Sequence, residues 1–340
     1  MVPKLKPLAE QTIVITGASS GIGLATAREA VRRGAAVVLA ARNGDALETI
    51  AAELRAEGGR VAVCPADVAD EADVERIAET ARTAFGGFDT WVNDASAATY
   101  GEVERVSMAN HRRIFDVNYF GLVKGSLVAA AHLRERGGGA IVNIGSVLSD
   151  RTMILQGVYS AAKHAVKGFT DALRMELEAA GAPISVTLIQ PSSIHTPYPE
   201  HARNLLDEPV RIPPLLYAPE LVADAVLFAA ANPKRALVVG GNGYMISLAG
   251  RFAPRLTDLV MEAVGRRAQV APDEPGDPAM RDNLYRARKD GRAEGSQDFH
   301  VRRRSRWLQA QKHPLAATAL ISAGVAAAAI ASSRARTGAR

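Results

Sequence analysis

Apolar runs alternate with amphipathic stretches along most of the chain. TIVITG is a short β-branched run ending in glycine, the pattern of a buried strand. GIGLATAREAVRRG follows with Ile22, Ala25 and Ala30 at helical spacing and stops at Gly34. AAVVLAAR, RVAVCPADV, FDTWVNDAS, GGAIVNIGS and ISVTLIQP repeat the strand pattern. Between them lie GDALETIAAELRAEGG, EADVERIAETARTAFGG, a long helical region around 108–135 and a helix over 158–179. RALVVGG, at 235–241, reads as a last strand. Strands that are apolar throughout are covered on both faces, which requires a mostly parallel sheet between helices. The expected class is therefore a doubly wound α/β fold of about seven strands. Residues 197–219 break the alternation: they are proline-rich and read as a loop with one short helix, in the position of a lid.

Past residue 250 the pattern changes. RFAPRLTDLVMEAVGRR, 251–267, sets Phe252, Leu256, Leu259, Val260, Ala263 and Val264 on one stripe, which could pack on the core, cover the substrate pocket or touch a membrane, with core or lid packing expected. Residues 268–300 are polar and read as a flexible linker. Residues 301–340 form a basic, alanine-rich tail. Its stretch 314–331 is uncharged, has basic residues on both sides and Trp307 near its edge, and is a candidate membrane helix.

Composition changes this picture in one respect. The 340 residues are 48% hydrophobic and 23% charged, ordinary for a globular chain. The net charge of +5 is uneven, because residues 281–340 hold 13 Lys+Arg against 4 Asp+Glu. The body of the protein is thus acidic, which argues against a nucleic-acid-binding core. Cys64 is the single cysteine and sits in an apolar run, so neither an internal disulfide nor a zinc cluster is available, and the seven histidines show no metal spacing. A reduced, cytoplasmic setting fits, with attachment to the inner face of a membrane if the tail anchors there. MVPKLKPLAEQTIVITG leads straight into the first strand and does not read as a signal peptide.

The first strand runs into TGASSGIG. Glycines at a strand–turn–helix junction permit a tight turn and bring a pyrophosphate close to the helix N-terminus, whose free N–H groups favour anions. Dinucleotide binding follows. The second strand ends in LAARN, where Ala41 offers no carboxylate to a ribose and Arg42 offers a guanidinium suited to a 2′-phosphate, so NADP(H) is expected over NAD(H).

TGASSGIG, ADV, NDAS, IGS and YSAAK, in this order, resemble the short-chain dehydrogenase/reductase superfamily, shorter-subunit branch, over about residues 8–245. The resemblance implies a Rossmann fold and an NADP-binding catalytic domain over 1–250. It implies that Thr16, Gly17, Ser19, Ser20, Gly21, Ile22 and Gly23 form the cofactor loop and that Asp67 and Val68 contact the adenine. Asn93 and Ala95 belong to a segment along the cofactor, and Pro191 and Thr196 lie near the nicotinamide. Asn118 would organise a water, and Ser146, Tyr159 and Lys163 would be the catalytic trio. Two departures stand out: Asp94 and Ser96 where the family has Asn and Gly, and Ser192 where it has Gly.

The chemistry suits a carbonyl/alcohol oxidoreductase. An isolated tyrosine has a pKa near ~10. Lys163, one turn on from Tyr159, is expected to lower it and to hold the nicotinamide ribose. Ser146 would hydrogen-bond the substrate oxygen as charge develops. Ser149, Gln156 and His195 are candidate substrate contacts, and PPLLY in the lid suggests a hydrophobic small molecule. The family also implies a homo-oligomer, a dimer or tetramer, formed through the helices carrying Asn118 and Tyr159. The alternative is an NADP(H)-binding sensor or scaffold without turnover.

Overall fold

The structure is a computed structural model, and it describes residues 3–271, 282–288 and 291–319. Seven strands make the central sheet: β1 (Thr12–Thr16), β2 (Ala36–Ala41), β3 (Val61–Pro65), β4 (Thr90–Asn93), β5 (Gly139–Ile144), β6 (Ile184–Pro191) and β7 (Ala236–Val239). Their order is β7-β6-β5-β4-β1-β2-β3, and every pairing is parallel. The chain winds outward in both directions from the β1–β4 junction, the arrangement that opens a ligand crevice at the carboxyl ends of the strands. The inner strands β1, β2, β4, β5 and β6 are almost wholly buried, as their apolar runs require, while the edge strands β3 and β7 are partly exposed.

Helices cover both faces. On one side α1 (Gly21–Arg32) and α2 (Gly44–Ala56) bury Leu24, Leu47 and Leu54 beside Val222 and Val226 of a helix at Pro219–Ala231. On the other lie α3 (Glu71–Phe85), α4 (Met108–Phe115), α5 (Gly121–Glu135) and α6 (Gly157–Ala179), contributing Ile77, Ile114, Leu133 and Leu177. The Pro219–Ala231 helix is α7. Asn43, Asp70 and Ser107 cap α2, α3 and α4 by accepting a backbone N–H three residues on. Between α4 and α5 the helix widens to a π turn at Asp116–Phe120. The combined stretch Met108–Glu135 is long and apolar enough to cross a membrane, but half of its most apolar window is buried inside the domain.

The lid region holds one turn, Tyr198–His201, then Arg203–Asn204, which pairs with Thr99–Tyr100, and Leu216–Tyr217. Beyond β7 come α8 (Gly241–Phe252) and α9 (Pro254–Gln269). The helix expected to start at 251 therefore starts at Pro254, and Phe252 ends a helix whose glycine-rich opening hides it in the sequence. The expectation that the apolar stripe packs inward is overturned. Thr257, Met261, Gly265 and Gln269 face the domain, whereas Phe252, Leu256, Leu259, Val260 and Val264 are exposed.

The segment read as a flexible linker is tied to the domain wherever it is described. The Gln297 carbonyl accepts from His195 Nε2 at 3.0 Å, and just past the linker, in the segment read as the tail, Val301–Arg302 pairs in parallel with Leu216–Tyr217. Leu284 is fully buried among the side chains on the α3–α6 face. A last helix, α10 (Arg306–Lys312), packs on β7 and seats Trp307 against Tyr244 at 4.6 Å. Of the candidate membrane helix 314–331, residues 314–319 are helical, with Leu315 exposed, and 320–331 lie outside the described residues.

Candidate active site

The Gly-rich loop closes β1 onto α1 with little room to spare. Gly17 has φ +74°, and a Cβ there would stand 2.9 Å from the Ala95 nitrogen. A Cβ on Gly23 would come within 2.3 Å of the Gly17 carbonyl. These positions accept glycine alone. Gly17, Ser19, Ser20, Gly21 and Ile22 then line a cavity of about 570 Å³ that runs along the carboxyl ends of the strands. Arg42, Asp67, Val68 and Ala95 lie on its wall, as do Ser146, Tyr159, Lys163, Pro191 and Thr196. The α1 N-terminus and the glycine cradle fit a dinucleotide phosphate.

Other expected cofactor residues act one step back. Thr16 Oγ1 accepts from the Asp94 and Ala95 N–H groups at 3.1 and 3.2 Å, so it shapes the β4 turn from β1. Asn93 is buried, accepts from the Trp91 indole at 2.8 Å and donates to Ser126 and Asn143 at 3.0 and 2.8 Å. Parallel register makes this possible, since Thr16, Asn93 and Asn143 are neighbours across three strands. Neither Thr16 nor Asn93 lines the cavity, and each acts through its neighbours, Thr16 on the β4 turn and Asn93 on Ser126 and Asn143. Gly23 likewise shapes the loop from behind.

Three segments converge on the reacting end. Ser146 follows β5 and caps the short turn Val147–Ser149, donating backbone N–H to Ser149 Oγ at 3.2 Å while its own Oγ accepts from Leu148 N–H at 3.1 Å. Helix α6 presents Tyr159 and, one turn later, Lys163. Lys163 is 2% exposed and donates to the Ile144 carbonyl at 2.8 Å, with its Nζ 5.5 Å from the Tyr159 ring centroid. Burial pushes the Lys163 pKa down to about 8, opposed by the charge of Asp94. Burial pushes Asp94 up to about 8, opposed by Lys163 and by the Gly23 N–H. The Tyr159 hydroxyl is raised rather than lowered: burial dominates, hydrogen bonds from Ser146 and Ser96 pull the other way, and Asp94 adds to the rise. The net direction in this enclosed site is upward because desolvation of the phenolate is the largest contribution.

Asn118 sits in the π turn and is 1% exposed. Its amide accepts from Ala97 N–H at 2.7 Å and donates to the Ala97 carbonyl at 2.9 Å, so the side chain positions the segment carrying Ser96. Of the three expected substrate contacts, Gln156 lines the cavity and bonds Tyr198 Oη at 2.8 Å and Gln269 at 2.6 Å. Ser149 is buried in the Ser146 turn. His195 is buried outside the lining, hydrogen-bonded through Nε2 to the Gln297 carbonyl at 3.0 Å. It holds the C-terminal segment rather than facing substrate or water.

The sequence reading missed several residues here. Tyr198 stands edge-on to Tyr159 at 5.5 Å and to Tyr100 at 6.0 Å, giving the reacting end an aromatic wall. The C-terminal segment crosses the cavity mouth. Gly21 N–H donates to Arg292 O at 2.9 Å, Asn43 Nδ2 to Arg288 O at 2.8 Å, and Arg42 to the carbonyls of Asn283 and Leu284. Glu200, in the lid, bonds the Ser296 N–H and hydroxyl at 3.1 and 2.9 Å and pairs with Arg292. This strap joins the lid to the loop around Arg42. Asp67 is held by Arg113 at 2.6 Å. Tyrosines in a proline-rich loop and a polar tail carry no periodic signal, and only proximity reveals them. Among the described residues no cluster of His, Cys, Asp and Glu forms a metal site.

Comparison with known proteins agrees with this geometry. The family model described as short chain dehydrogenase matches residues 11–205. The uncharacterised oxidoreductase YxnA of Bacillus subtilis is 45% identical over 325 residues, spanning 95% of this chain and 91% of its own. A short-chain dehydrogenase/reductase from Burkholderia phymatum, solved in complex with NAD, superposes with a TM-score of 0.65 at 26% identity, over 80% of this chain and 100% of its own. The L-sorbose reductase of Gluconobacter frateurii, solved with NADPH and L-sorbose, gives 0.61 at 26% identity, over 71% and 98% of the two chains. With its parallel seven-stranded sheet, its glycine cradle and its Ser–Tyr–Lys convergence, the chain belongs to the short-chain dehydrogenase/reductase superfamily of oxidoreductases.

Proposed function

We propose that the protein is an NADP(H)-dependent oxidoreductase that interconverts a carbonyl and a secondary alcohol on a hydrophobic small molecule. The observation carrying this reading is the convergence of Ser146, Tyr159 and Lys163 on the cavity that the glycine loop also lines. A bound nicotinamide cofactor supplies or accepts the hydride. Tyr159 gives or takes the proton at the substrate oxygen, and Ser146 donates a hydrogen bond to that oxygen as charge builds. Lys163, with a pKa near neutrality, passes a proton to or from the site while bound to the Ile144 carbonyl.

Support for a hydrophobic substrate comes from the wall beyond Tyr159, where Met153, Leu215, Met245, Ile246 and Met261 line the cavity. Arg42 supports NADP(H), since a phosphate dianion competes well against neutral carbonyls for a guanidinium. Exposed Phe120, Leu127 and Met175, on the π turn, α5 and α6, support association of copies through those helices.

The test is oxidation of NADPH, and separately NADH, over a panel of aliphatic, aromatic and steroid-sized ketones and aldehydes. Turnover with NADPH on apolar carbonyls is the expected result. Tight NADPH binding with no turnover on any of them would instead identify a sensor or scaffold.

A further inference from the structure

We propose that the outward face of α8 and α9 docks on a lipid bilayer carrying anionic headgroups. Helix α9 has three stripes. Thr257, Met261, Gly265 and Gln269 face the domain. Arg255, Glu262 and Arg266 line one flank, with Arg255 paired to Glu262 at 3.1 Å and Arg266 to Glu208 at 2.9 Å. The third stripe is apolar and faces solvent: Leu256 is 64% exposed and Val260 48%, with Leu259 and Val264 beside them. On α8 the exposed apolar set continues with Phe252 at 76%.

A soluble helix ordinarily turns such a stripe inward. Here the inward positions are fixed by contacts that rotation would break. Gln269 donates to the Ile154 carbonyl at 2.9 Å and bonds Gln156 at 2.6 Å. A Cβ on Gly265 would come within 2.9 Å of the Ile154 side chain, and Asp258 pairs with Arg151. The apolar stripe is therefore held outward by the packing that roofs the cavity, and a contiguous apolar patch of this kind marks an interaction surface.

Charge selects the occupant. Arg251 and Arg267 are exposed beside the patch and enter none of these ion pairs, while Glu262 and Glu208 are taken up by Arg255 and Arg266, and the half-buried Asp258 by Arg151. An in-plane helix with apolar side chains below and arginines at its borders fits the headgroup–acyl boundary, where guanidinium groups reach anionic phosphates. A second copy placed on the same patch about a twofold axis would bring these arginines against their own equivalents, which like-charge repulsion opposes. The tail leaves from the same helix pair, since Trp307 stacks on Tyr244 of α8, and it carries exposed Arg303, Arg304 and Arg306.

The experiment is co-sedimentation of the full chain with phosphatidylcholine vesicles, with and without phosphatidylglycerol. Binding to the anionic vesicles that weakens with added salt is expected. Leu256→Glu with Val260→Glu should lower vesicle partitioning by at least about tenfold with the tail intact. Both side chains are exposed, so NADPH binding and the melting temperature should match the parent, and these are measured alongside. A Val260→Trp variant gives an independent readout: its fluorescence should shift blue on anionic vesicles. Failure of the parent to bind vesicles overturns the proposal. So does a double variant that binds as the parent does, because attachment then resides in the tail alone. A concentration-dependent dimer that the double variant abolishes, with no vesicle binding, overturns it in favour of self-association.

Discussion

Residues 11–191 and residues 241–319 are built on opposite principles. In the first region the burial of strand and helix positions largely follows from their period. Strand positions are buried because they are apolar on both faces, and Ser146, Tyr159 and Lys163 reach the cavity because they lie at a strand end or one helical turn apart. In the second region the pattern misleads. The most regular apolar stripe, on α9, faces out, while the polar strap is pinned across the cavity mouth by hydrogen bonds to Gly21, Asn43 and Glu200. Periodicity thus predicts burial only where an element has a large apolar partner to cover. A helix added at the edge of a finished domain takes its orientation from a few specific contacts, here Gln269, Gly265 and Asp258.

The largest effect should come from the first region. Tyr159→Phe should lower kcat by about 100- to 10,000-fold, the range for loss of a positioned general acid–base, with cofactor affinity little changed. Steady-state kinetics beside a fluorescence titration with NADPH would check this, and full retained activity would remove the proton-transfer assignment. Next is Arg42, where the two regions meet. Arg42→Ala should weaken NADPH by about 10- to 100-fold and NADH much less, as expected for lost charged hydrogen bonds. Equal losses for both cofactors would show that Arg42 acts chiefly by holding Asn283 and Leu284.

The strap offers a smaller effect. Glu200→Ala removes its contacts with Ser296 and Arg292. Cofactor release, followed by stopped-flow displacement, should speed up about five- to tenfold, the worth of one or two hydrogen bonds. Limited proteolysis within 282–302 should quicken in parallel. If both rates stay unchanged, the strap does not retain the cofactor.

The smallest effect concerns Asp94. Its carboxyl is raised from 3.8 to about 8 in the folded chain. A raised folded pKa gives stability that is present in full below the unfolded value and is lost as pH climbs through the folded value. The protein should therefore lose part of its stability between about pH 4 and pH 8, and Asp94→Asn should flatten that slope in melting curves. The variant also removes the negative charge that favours protonated Lys163, so the alkaline limb of the activity profile should move to lower pH.

Much of the site was legible because short motifs encode local backbone needs. Gly17 and Gly23 are required by contacts at 2.9 and 2.3 Å that no other residue fits, and a strand–turn–helix context announces them. Asn93 and Asn118 were found by motif, but their tasks were not readable. One spans three strands through Asn143 and Ser126, the other clamps Ala97, and both partners come from distant parts of the chain. His195 shows the same limit, since its partner Gln297 lies about a hundred residues on. The net direction at Tyr159 was not legible, because a sequence shows the neighbouring charge but not the burial that raises the hydroxyl.

The sequence by itself determined the parallel sheet, the helices on both faces and the glycine cradle, while the Ser–Tyr–Lys trio came from the family resemblance. The sheet, the helices and the cradle depend on interactions within a few residues or on a repeating period. Tertiary structure alone decided the strap over Arg42, the aromatic wall of Tyr198 and Tyr100, the influence of the Asp94 and Lys163 charges on each other and the outward face of α9. These depend on which distant segments meet and on how far water is excluded between them, and neither quantity is written in any local stretch of the chain.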